Sequence, residues 1–259
     1  MATLNVHAFG PAGGAPVLVV HGVRNNGARH RLLAATALPE ARVLAVDLRG
    51  HGDSTWLPPW DAGRHVADLL DTLDAHGLDS VPVMGHSFGG LLALRLAAVA
   101  PARVSRIALL DPAVALDPAA CLAQAEATLL DDGWSSREEA LAARRAMRPP
   151  HSRDTADDDL ASFLAEGPDG RFRLRFSRAA VVAAWSEMAH PPPSLAGWPG
   201  QVLLLRATRE AFVTPALVDS LEADLGRRLR LHDVDSGHML FWDALDETAA
   251  LVGPFLAGA

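Results

Sequence analysis

The chain has 259 residues, 49% of them hydrophobic and 21% charged, and a formal net charge of -8. This length suits one large α/β domain, or a core with a smaller insertion, and the composition excludes a disordered chain. The negative charge argues against nucleic acid as a partner. Because lysine and tyrosine are absent, a Schiff-base lysine, a lysine general base and a tyrosine acid are excluded.

Cysteine content and hydropathy give a first indication of the compartment. Cys121 is the only cysteine, which excludes disulfides and cysteine-based zinc sites within the chain, and we expect it to be a packing residue. No apolar run approaches the roughly 20 residues needed to span a bilayer, and the first residues do not have the pattern of a secretion signal. We expect a soluble, cytoplasmic protein with no membrane partner, and a homo-oligomer remains open.

Seven short runs of β type follow one another along the chain, and most are separated by segments with helical periodicity. The runs are TLNVHAF, PVLVVHG, RVLAVDL, VPVMG, RIALLD, QVLLLRA and RLRLHDV. Their alternation with helices predicts a mainly parallel sheet covered by helices on both faces. Helices are predicted over AGRHVADLLDTLDAHG, where Gly77 stops the pattern, and over GGLLALRLAAVAP, which Pro101 closes.

The strand rhythm is lost between RIALLD and QVLLLRA for about ninety residues, which is too long for a simple connection. Residues 112–200 are therefore predicted to form a helical insertion, with residues 1–111 and 201–259 as the core domain. Within the insertion, Ser136 and Glu139 have the spacing of a capping box.

Two further segments of the insertion carry recognisable patterns. RPPHSRDTADDDL predicts a solvated hinge before another short helix, and GRFRLRF predicts an extended segment with one wet face. The arginines of the second segment are expected to face solvent or to pair with acidic neighbours. Those neighbours are Asp157, Asp158 and Asp159.

Gly85, His86, Ser87, Phe88 and Gly89 form a GxSxG motif between a strand-type and a helix-type run. A serine at so sharp a turn has a strained backbone, and side chains two residues before and after it would collide unless nearly absent. The turn lifts the serine oxygen above the sheet edge and directs the Phe88 amide into the same space, as half of an oxyanion hole. The motif predicts a nucleophile elbow, and the structural alternative is a glycine-rich turn with an idle serine.

Four motifs, VVHG, DLRGHGDS, GHSFGG and SGHML, stand in this order along the chain. In these motifs the chain resembles the α/β-hydrolase superfamily. The resemblance implies a mostly parallel sheet of about eight strands, a helical cap inserted between strands six and seven, and a pocket between cap and core. It also implies Ser87 as the nucleophile and His238 as the general base that takes its proton.

The acid of the triad departs from the family pattern. The family usually carries an aspartate three residues after a glycine in the loop that follows strand seven, whereas RATREAFVTP has Ala207 and Glu210 at those positions. Some members take the acid from the end of strand six, where this chain has Asp111. We prefer Glu210 as the acid, with Asp111 as the alternative, and the other carboxylate would then lie at the surface or support the site.

The second oxyanion donor is expected from the loop after VVHG, as the Val23 amide. Arg24 in this loop is a candidate pocket residue, although a turn residue is the safer interpretation beside Gly27. Met239, Trp134 and Trp185 are further candidates for the pocket wall, as is the Phe88 side chain. All four are equally explicable as core packing.

The resemblance implies acyl transfer through an acyl-enzyme on Ser87, with a small ester, lactone or related acyl compound as substrate and no metal or organic cofactor. A serine at the elbow excludes haloalkane dehalogenases and epoxide hydrolases, which use aspartate there. Carbon-carbon bond hydrolases, perhydrolases and hydroxynitrile lyases remain alternatives. A binding protein that keeps the fold as a small-molecule receptor with little turnover is an alternative of another class.

Overall fold

The computed structural model describes residues 4–146 and 163–258. In that part of the chain the strands are β1 (Val6–Phe9), β2 (Pro16–Val20), β3 (Arg42–Val46), β4 (Val81–His86), β5 (Val104–Leu110), β6 (Leu164–Glu166), β7 (Phe172–Leu174), β8 (Gln201–Ala207) and β9 (Leu229–Val234). The α-helices are α1 (Arg31–Ala37), α2 (Ala62–Ala75), α3 (Phe88–Val99), α4 (Pro118–Leu130), α5 (Arg137–Ala146), α6 (Arg178–Met188), α7 (Pro215–Leu225), α8 (Leu240–Asp243) and α9 (Leu245–Ala257). None of these helices is long and apolar enough to cross a membrane.

All seven predicted β runs pair in one sheet, in the order β1-β3-β2-β4-β5-β8-β9. Only β1 is antiparallel to its neighbour, so the prediction of a mostly parallel sheet is confirmed. The described residues give this sheet seven strands, where the resemblance implied about eight. Because the central strands are parallel, the loops that follow β2, β4, β5 and β8 all emerge at the same edge.

Both faces of the sheet are covered by helices, as the apolar strand runs predict. Along β2 the alternation is direct, since Leu18 and Val20 belong to the apolar core on one face, whereas Val17 and Val19 belong to the core on the other. Residues of α2 and α3 pack in the first core, and residues of α1 and α9 pack in the second. Residues 17–20 of β2 are therefore buried on both faces of the sheet.

The helical insertion lies between β5 and β8, and it contains α4, α5, α6 and the β6-β7 hairpin. Counted along the chain, it falls between the fifth and sixth strands of the sheet, β5 and β8. The resemblance implied a place between strands six and seven of a sheet of about eight strands. Its boundaries at 112 and 200 remain a prediction. The expected capping box forms in part, because the Glu139 amide donates to Ser136 Oγ at 3.1 Å while the Glu139 carboxylate accepts from the Ser135 amide at 2.7 Å.

The arginine-rich segment of the insertion is extended through β7, as predicted. Arg173 pairs with Asp169 at 2.7 Å and Arg175 pairs with Asp53. The expected partners, residues 157–159, and the predicted hinge RPPHSRDTADDDL lie outside the described residues. At its end this segment joins the core, because the Gly52 amide donates to the Arg175 carbonyl at 2.8 Å and the Ser177 amide donates to the Gly50 carbonyl at 2.7 Å.

A buried ion pair fastens the loop after β3 to α2. Arg49 Nε and Nη2 donate to the two oxygens of Asp68 at 2.6 and 2.8 Å, and Arg64 donates to the same carboxylate. Burial by itself would raise the pKa of Asp68, but the hydrogen bonds from both arginines outweigh it and lower that pKa. The Asp68 side chain is fully buried, so its charge depends on these donors.

Replacing Asp68 should therefore destabilise the fold strongly. We expect Asp68→Asn to lower the free energy of unfolding by about 3–5 kcal/mol, because the buried Arg49 cation loses its counter-charge. The control is Asp71→Asn on the same helix, where a half-buried carboxylate lies 3.4 Å from Arg64 and a loss of at most about 1 kcal/mol is expected. Urea denaturation measures both, and equal losses would contradict the argument.

Candidate active site

Ser87 lies in the sharp turn between β4 and α3, with φ 55° and ψ -121°. The flanking glycines leave no room for side chains. A Cβ atom on Gly85 would lie 2.4 Å from the carbonyl oxygen of Gly89, and one on Gly89 would lie 2.1 Å from the carbonyl oxygen of Val20. The strained serine and the steric need for both glycines agree with the geometry expected of a nucleophile elbow.

His238 follows β9 and is hydrogen-bonded to Asp111, with its Nδ1 2.7 Å from Asp111 Oδ2. Asp111 directly follows β5 and is fully buried, and its other oxygen accepts from the Ala207 amide at 3.1 Å. A carboxylate accepts only, so His238 Nδ1 carries a proton and Nε2 keeps its lone pair. The pair has the geometry of an imidazole that is held ready to act as a base.

The preference for Glu210 is corrected by this contact. Glu210 is exposed in the loop after β8, and its Oε1 lies 3.7 Å from where a Cβ on Gly237 would be, so it approaches the His238 loop without bonding the imidazole. Asp111 is better placed because it leaves β5 directly at the edge where the active-site loops meet. The backbone turns at Asp111, which has a positive φ of 43°. No sequence pattern predicts this turn.

Aromatic rings fix the imidazole of His238 in place. Phe212 stacks on it with ring centroids 4.0 Å apart, and the His86 ring lies 4.6 Å away. His86 Nε2 also donates to the His238 carbonyl at 2.9 Å. Because His86 immediately precedes Ser87, this bond ties the histidine loop to the serine turn. Phe212 was not predicted as a site residue. The only signal for it in the sequence is its position in the loop after β8.

The loop after β2 brings backbone groups beside the serine. A Cβ on Gly22 would lie 2.7 Å from Ser87 Cβ, so only glycine fits there. His21 Nδ1 donates to the Gly22 carbonyl at 2.6 Å. Among the described residues, neither the Val23 amide nor the Phe88 amide has a protein acceptor. Their role as oxyanion donors stays a prediction.

Arg24 joins this loop to the insertion. Its guanidinium pairs with Asp131 at 2.7 Å and lies 5.6 Å from the centre of the Phe176 ring. Its backbone has φ 57°, in the left-handed region that non-glycine residues rarely adopt. Arg24 is thus a turn residue whose side chain extends towards the insertion, and its assignment to the substrate pocket stays a prediction.

The remaining pocket candidates lie in different places. The Phe88 side chain is fully buried and packs edge-on to His65, so the core-packing alternative describes it. Met239 is half-buried and packs against the core next to His238. Trp134 exchanges two backbone hydrogen bonds with Phe172, both of 2.8 Å, which places it in the insertion.

Trp185 lines a groove of about 370 Å³ between the insertion and the loop after β8. Phe212, which stacks on His238, and Cys121 line the same groove. Burial raises the pKa of the Cys121 thiol, which agrees with the prediction of a packing residue.

Five buried histidines surround the site and are neutral at pH 7. Burial lowers the pKa of His21, His30 and His65 to about 4, that of His51 to about 3 and that of His86 well below its ordinary value. In the part of the chain that the structure describes, no three His, Cys, Asp or Glu side chains are grouped as metal ligands would be. Three of them, His21, His51 and His86, make hydrogen bonds to the backbone through neutral rings.

This strand order, elbow and histidine-aspartate pair define an α/β hydrolase, and the comparison with known families agrees. Residues 15–245 match the family model described as alpha/beta hydrolase fold, so the chain belongs to that family. It is 39% identical to Lipase LipV of Mycobacterium tuberculosis, over 96% of each chain. The protein is thus a hydrolase of the α/β fold that resembles lipases.

Solved structures share the same fold at low sequence identity. A marine microorganism esterase superimposes with a TM-score of 0.77 at 18% identity, over 97% of this chain and 100% of its own. E-2-(acetamidomethylene)succinate hydrolase superimposes with a TM-score of 0.78 at 21% identity, over 99% of this chain and 95% of its own. These two likenesses establish the architecture, including the inserted helical region.

Acid should destabilise this protein through its buried histidines. Their pKa in the unfolded chain is 6.5 and lower in the folded state, so the stability that the neutral rings confer is complete above pH 6.5 and is lost as the pH falls towards 4. Between pH 6 and 5 each histidine should lower the free energy of unfolding by up to about 1.4 kcal/mol per pH unit. His7 acts in the opposite sense, because Asp47 raises its pKa and its stabilising contribution is lost as the pH rises above 6.5.

Urea denaturation at pH 8, 7, 6 and 5 measures this dependence. The matched variant is His65→Phe, which keeps an aromatic ring against Phe88 but removes one titrating group. The slope of its free energy of unfolding against pH should be smaller by the contribution of one histidine. A free energy of unfolding that stays constant from pH 8 to 5 would contradict the argument.

Proposed function

We propose that the protein cleaves a small carboxylic ester, lactone or related acyl substrate through an acyl-enzyme on Ser87. The observation that carries the proposal is the buried Asp111 on Nδ1 of His238, at the sheet edge where Ser87 is held in a strained turn. The names of its relatives support the same class, since LipV is a lipase and the marine structure is an esterase.

The first step needs a base, because a serine hydroxyl is too weakly acidic to attack a carbonyl unaided. His238 Nε2 takes the Ser87 proton while the serine oxygen attacks the carbonyl carbon. Asp111 keeps the Nδ1 proton in place and stabilises the imidazolium that forms. Its position inside the protein, with the Ala207 amide on its second oxygen, fixes the direction of the imidazole.

The oxyanion that forms on the substrate is held by the amides of Val23 and Phe88. Phe88 begins α3, so its N–H lies at the positive end of the helix dipole. Such donors act without reorganising when the charge develops, and losing one typically costs about 3 kcal/mol of transition-state stabilisation. His238 then gives its proton to the leaving alcohol, and a water molecule activated by the same imidazole releases the acid.

Residues 112–200 serve in this proposal as the cap that covers the substrate. The ion pair between Arg24 and Asp131 supports it, because it joins the oxyanion loop to the insertion. The groove beside Phe212 has a volume of about 370 Å³, which supports a small substrate. Its wall includes the apolar side chains of Leu116, Ala120 and Trp185. We assign it to an uncharged, apolar part of the ester.

The receptor alternative is disfavoured by the geometry of the triad. A binding protein does not need a buried carboxylate on the imidazole and two unused amides beside the serine. Carbon-carbon bond hydrolases, perhydrolases and lyases use the same triad, and within the described residues no contact favours them over ester hydrolysis.

Covalent labelling tests the nucleophile. Incubation with a fluorophosphonate should add one phosphonyl group per chain, seen by intact mass, because an activated serine displaces fluoride. Ser87→Ala should take up no label and should lose hydrolysis of short nitrophenyl esters. Wild-type protein that is neither labelled nor active on these esters would show that the proposed function is wrong.

Amide substitutions test the acid. Asp111→Asn should lower kcat by about 10⁴-fold, because an asparagine on Nδ1 favours the wrong tautomer of His238. Glu210→Gln is the matched control and should keep kcat within about threefold, since Glu210 makes no bond to the imidazole. Steady-state kinetics on one nitrophenyl ester measures both. A large loss in Glu210→Gln with little effect of Asp111→Asn would restore Glu210 as the acid.

A further inference from the structure

The peptide groups on either side of Val23 are each hydrogen-bonded to a different histidine ring. The first joins Gly22 to Val23, and its carbonyl accepts from His21 Nδ1 at 2.6 Å. In a planar trans peptide the N–H points opposite to the C=O. The bond to His21 therefore turns the Val23 N–H to the other side of the peptide, away from the His21 ring.

The second peptide group joins Val23 to Arg24, and its N–H donates to His51 Nε2 at 3.3 Å. This bond matters because the Arg24 backbone has a positive φ of 57°. A non-glycine residue in that region costs on the order of 1–3 kcal/mol and persists only where its surroundings hold it. The His51 ring supplies such a hold at the backbone, and the pair with Asp131 restrains the Arg24 side chain separately.

His51 is itself locked in the one state that can accept this bond. Its Nδ1 donates to the Arg49 carbonyl at 3.2 Å, which leaves the lone pair on Nε2. The residue is 1% exposed, and its ring lies edge-on to His21 with centroids 5.1 Å apart. Burial lowers the pKa of His51 to about 3, so the ring is neutral near pH 7.

We infer that His51 is a positioning residue of the oxyanion hole, whose Nε2 holds the Arg24 amide and thereby keeps the Val23 amide turned towards the Ser87 oxygen. This inference rests on the proposed function. His51 touches neither the serine nor the substrate position and acts only through the backbone of the loop. Without its acceptor, the strained backbone at Arg24 relaxes and the Val23 donor is lost.

The chain offers a matched pair of substitutions at this position. In His51→Gln the side-chain oxygen reaches the place of Nε2 and still accepts the Arg24 amide. In His51→Asn the shorter amide reaches the place of Nδ1, so it still donates to the Arg49 carbonyl but leaves the Arg24 amide without a partner. The two variants are similar in polarity, and each keeps one of the two hydrogen bonds of the His51 ring: His51→Gln keeps the bond to the Arg24 amide, and His51→Asn keeps the bond to the Arg49 carbonyl.

We expect His51→Asn to lower kcat by about 10²-fold with KM nearly unchanged. This is the effect expected when one oxyanion donor is lost. His51→Gln should stay within about tenfold of wild type. The inhibition constant of a trifluoromethyl ketone, which forms an oxyanion on the serine, should rise in His51→Asn by a factor similar to the loss in kcat. A merely structural role would lower the free energy of unfolding and leave this inhibition constant unchanged in the folded fraction.

Equal losses in the two variants, or full activity of His51→Asn, would overturn the inference. If His51→Asn does not fold, His51→Leu takes its place, since it fills the ring volume without an acceptor. Should both acceptor-free variants unfold while His51→Gln folds, the role of His51 is structural and the assignment is wrong.

Crystal structures of the variants separate this inference from the proposed function. Loss of the wild-type backbone conformation from Gly22 to Arg24 in His51→Asn, and its retention in His51→Gln, would support the positioning role even if the wild-type protein hydrolyses no ester. An unchanged backbone in His51→Asn would refute it even in an active esterase.

Discussion

The hydrogen bond between Asp111 and His238 is the constraint on which the rest of the site depends. It joins the end of β5 to the loop after β9, across β8. A fully buried carboxylate is costly unless its oxygens have donors, and here the Ala207 amide and His238 supply them. The bond therefore depends on the register of β5 against β8, which places the Ala207 amide beside the Asp111 side chain.

Backbone strain is concentrated at the same edge. Arg24, Ser87 and Asp111 each have a positive φ, and each comes soon after the end of a strand, β2, β4 or β5. Neighbouring strands hold two of them, because the Ser87 amide donates to the Leu110 carbonyl at 3.1 Å and the Asp111 amide donates to the Leu205 carbonyl at 2.8 Å. The strands on either side therefore keep the turns at Ser87 and Asp111 from relaxing.

The sequence predicts the sheet well because central parallel strands are buried on both faces. Such strands therefore consist of continuous runs of apolar residues. The sequence predicts the elbow because Gly85 and Gly89 are needed locally for steric reasons. It does not decide between Asp111 and Glu210, since both follow strands and only the path of the chain beyond Ala207 leaves Glu210 in solvent. The bond from Arg24 to His51 joins residues 27 positions apart, which no local pattern encodes.

The loop after β2, which carries the proposed oxyanion donor Val23, is held by contacts of unequal strength. The ion pair of Arg24 with Asp131 is partly exposed, and such pairs contribute at most about 1 kcal/mol. The bond of the loop backbone to His21 is buried and that to His51 is partly buried, and a buried donor left unpaired costs about 1–3 kcal/mol. The backbone bonds to the two imidazoles therefore hold this loop more firmly than its side-chain link to the insertion does.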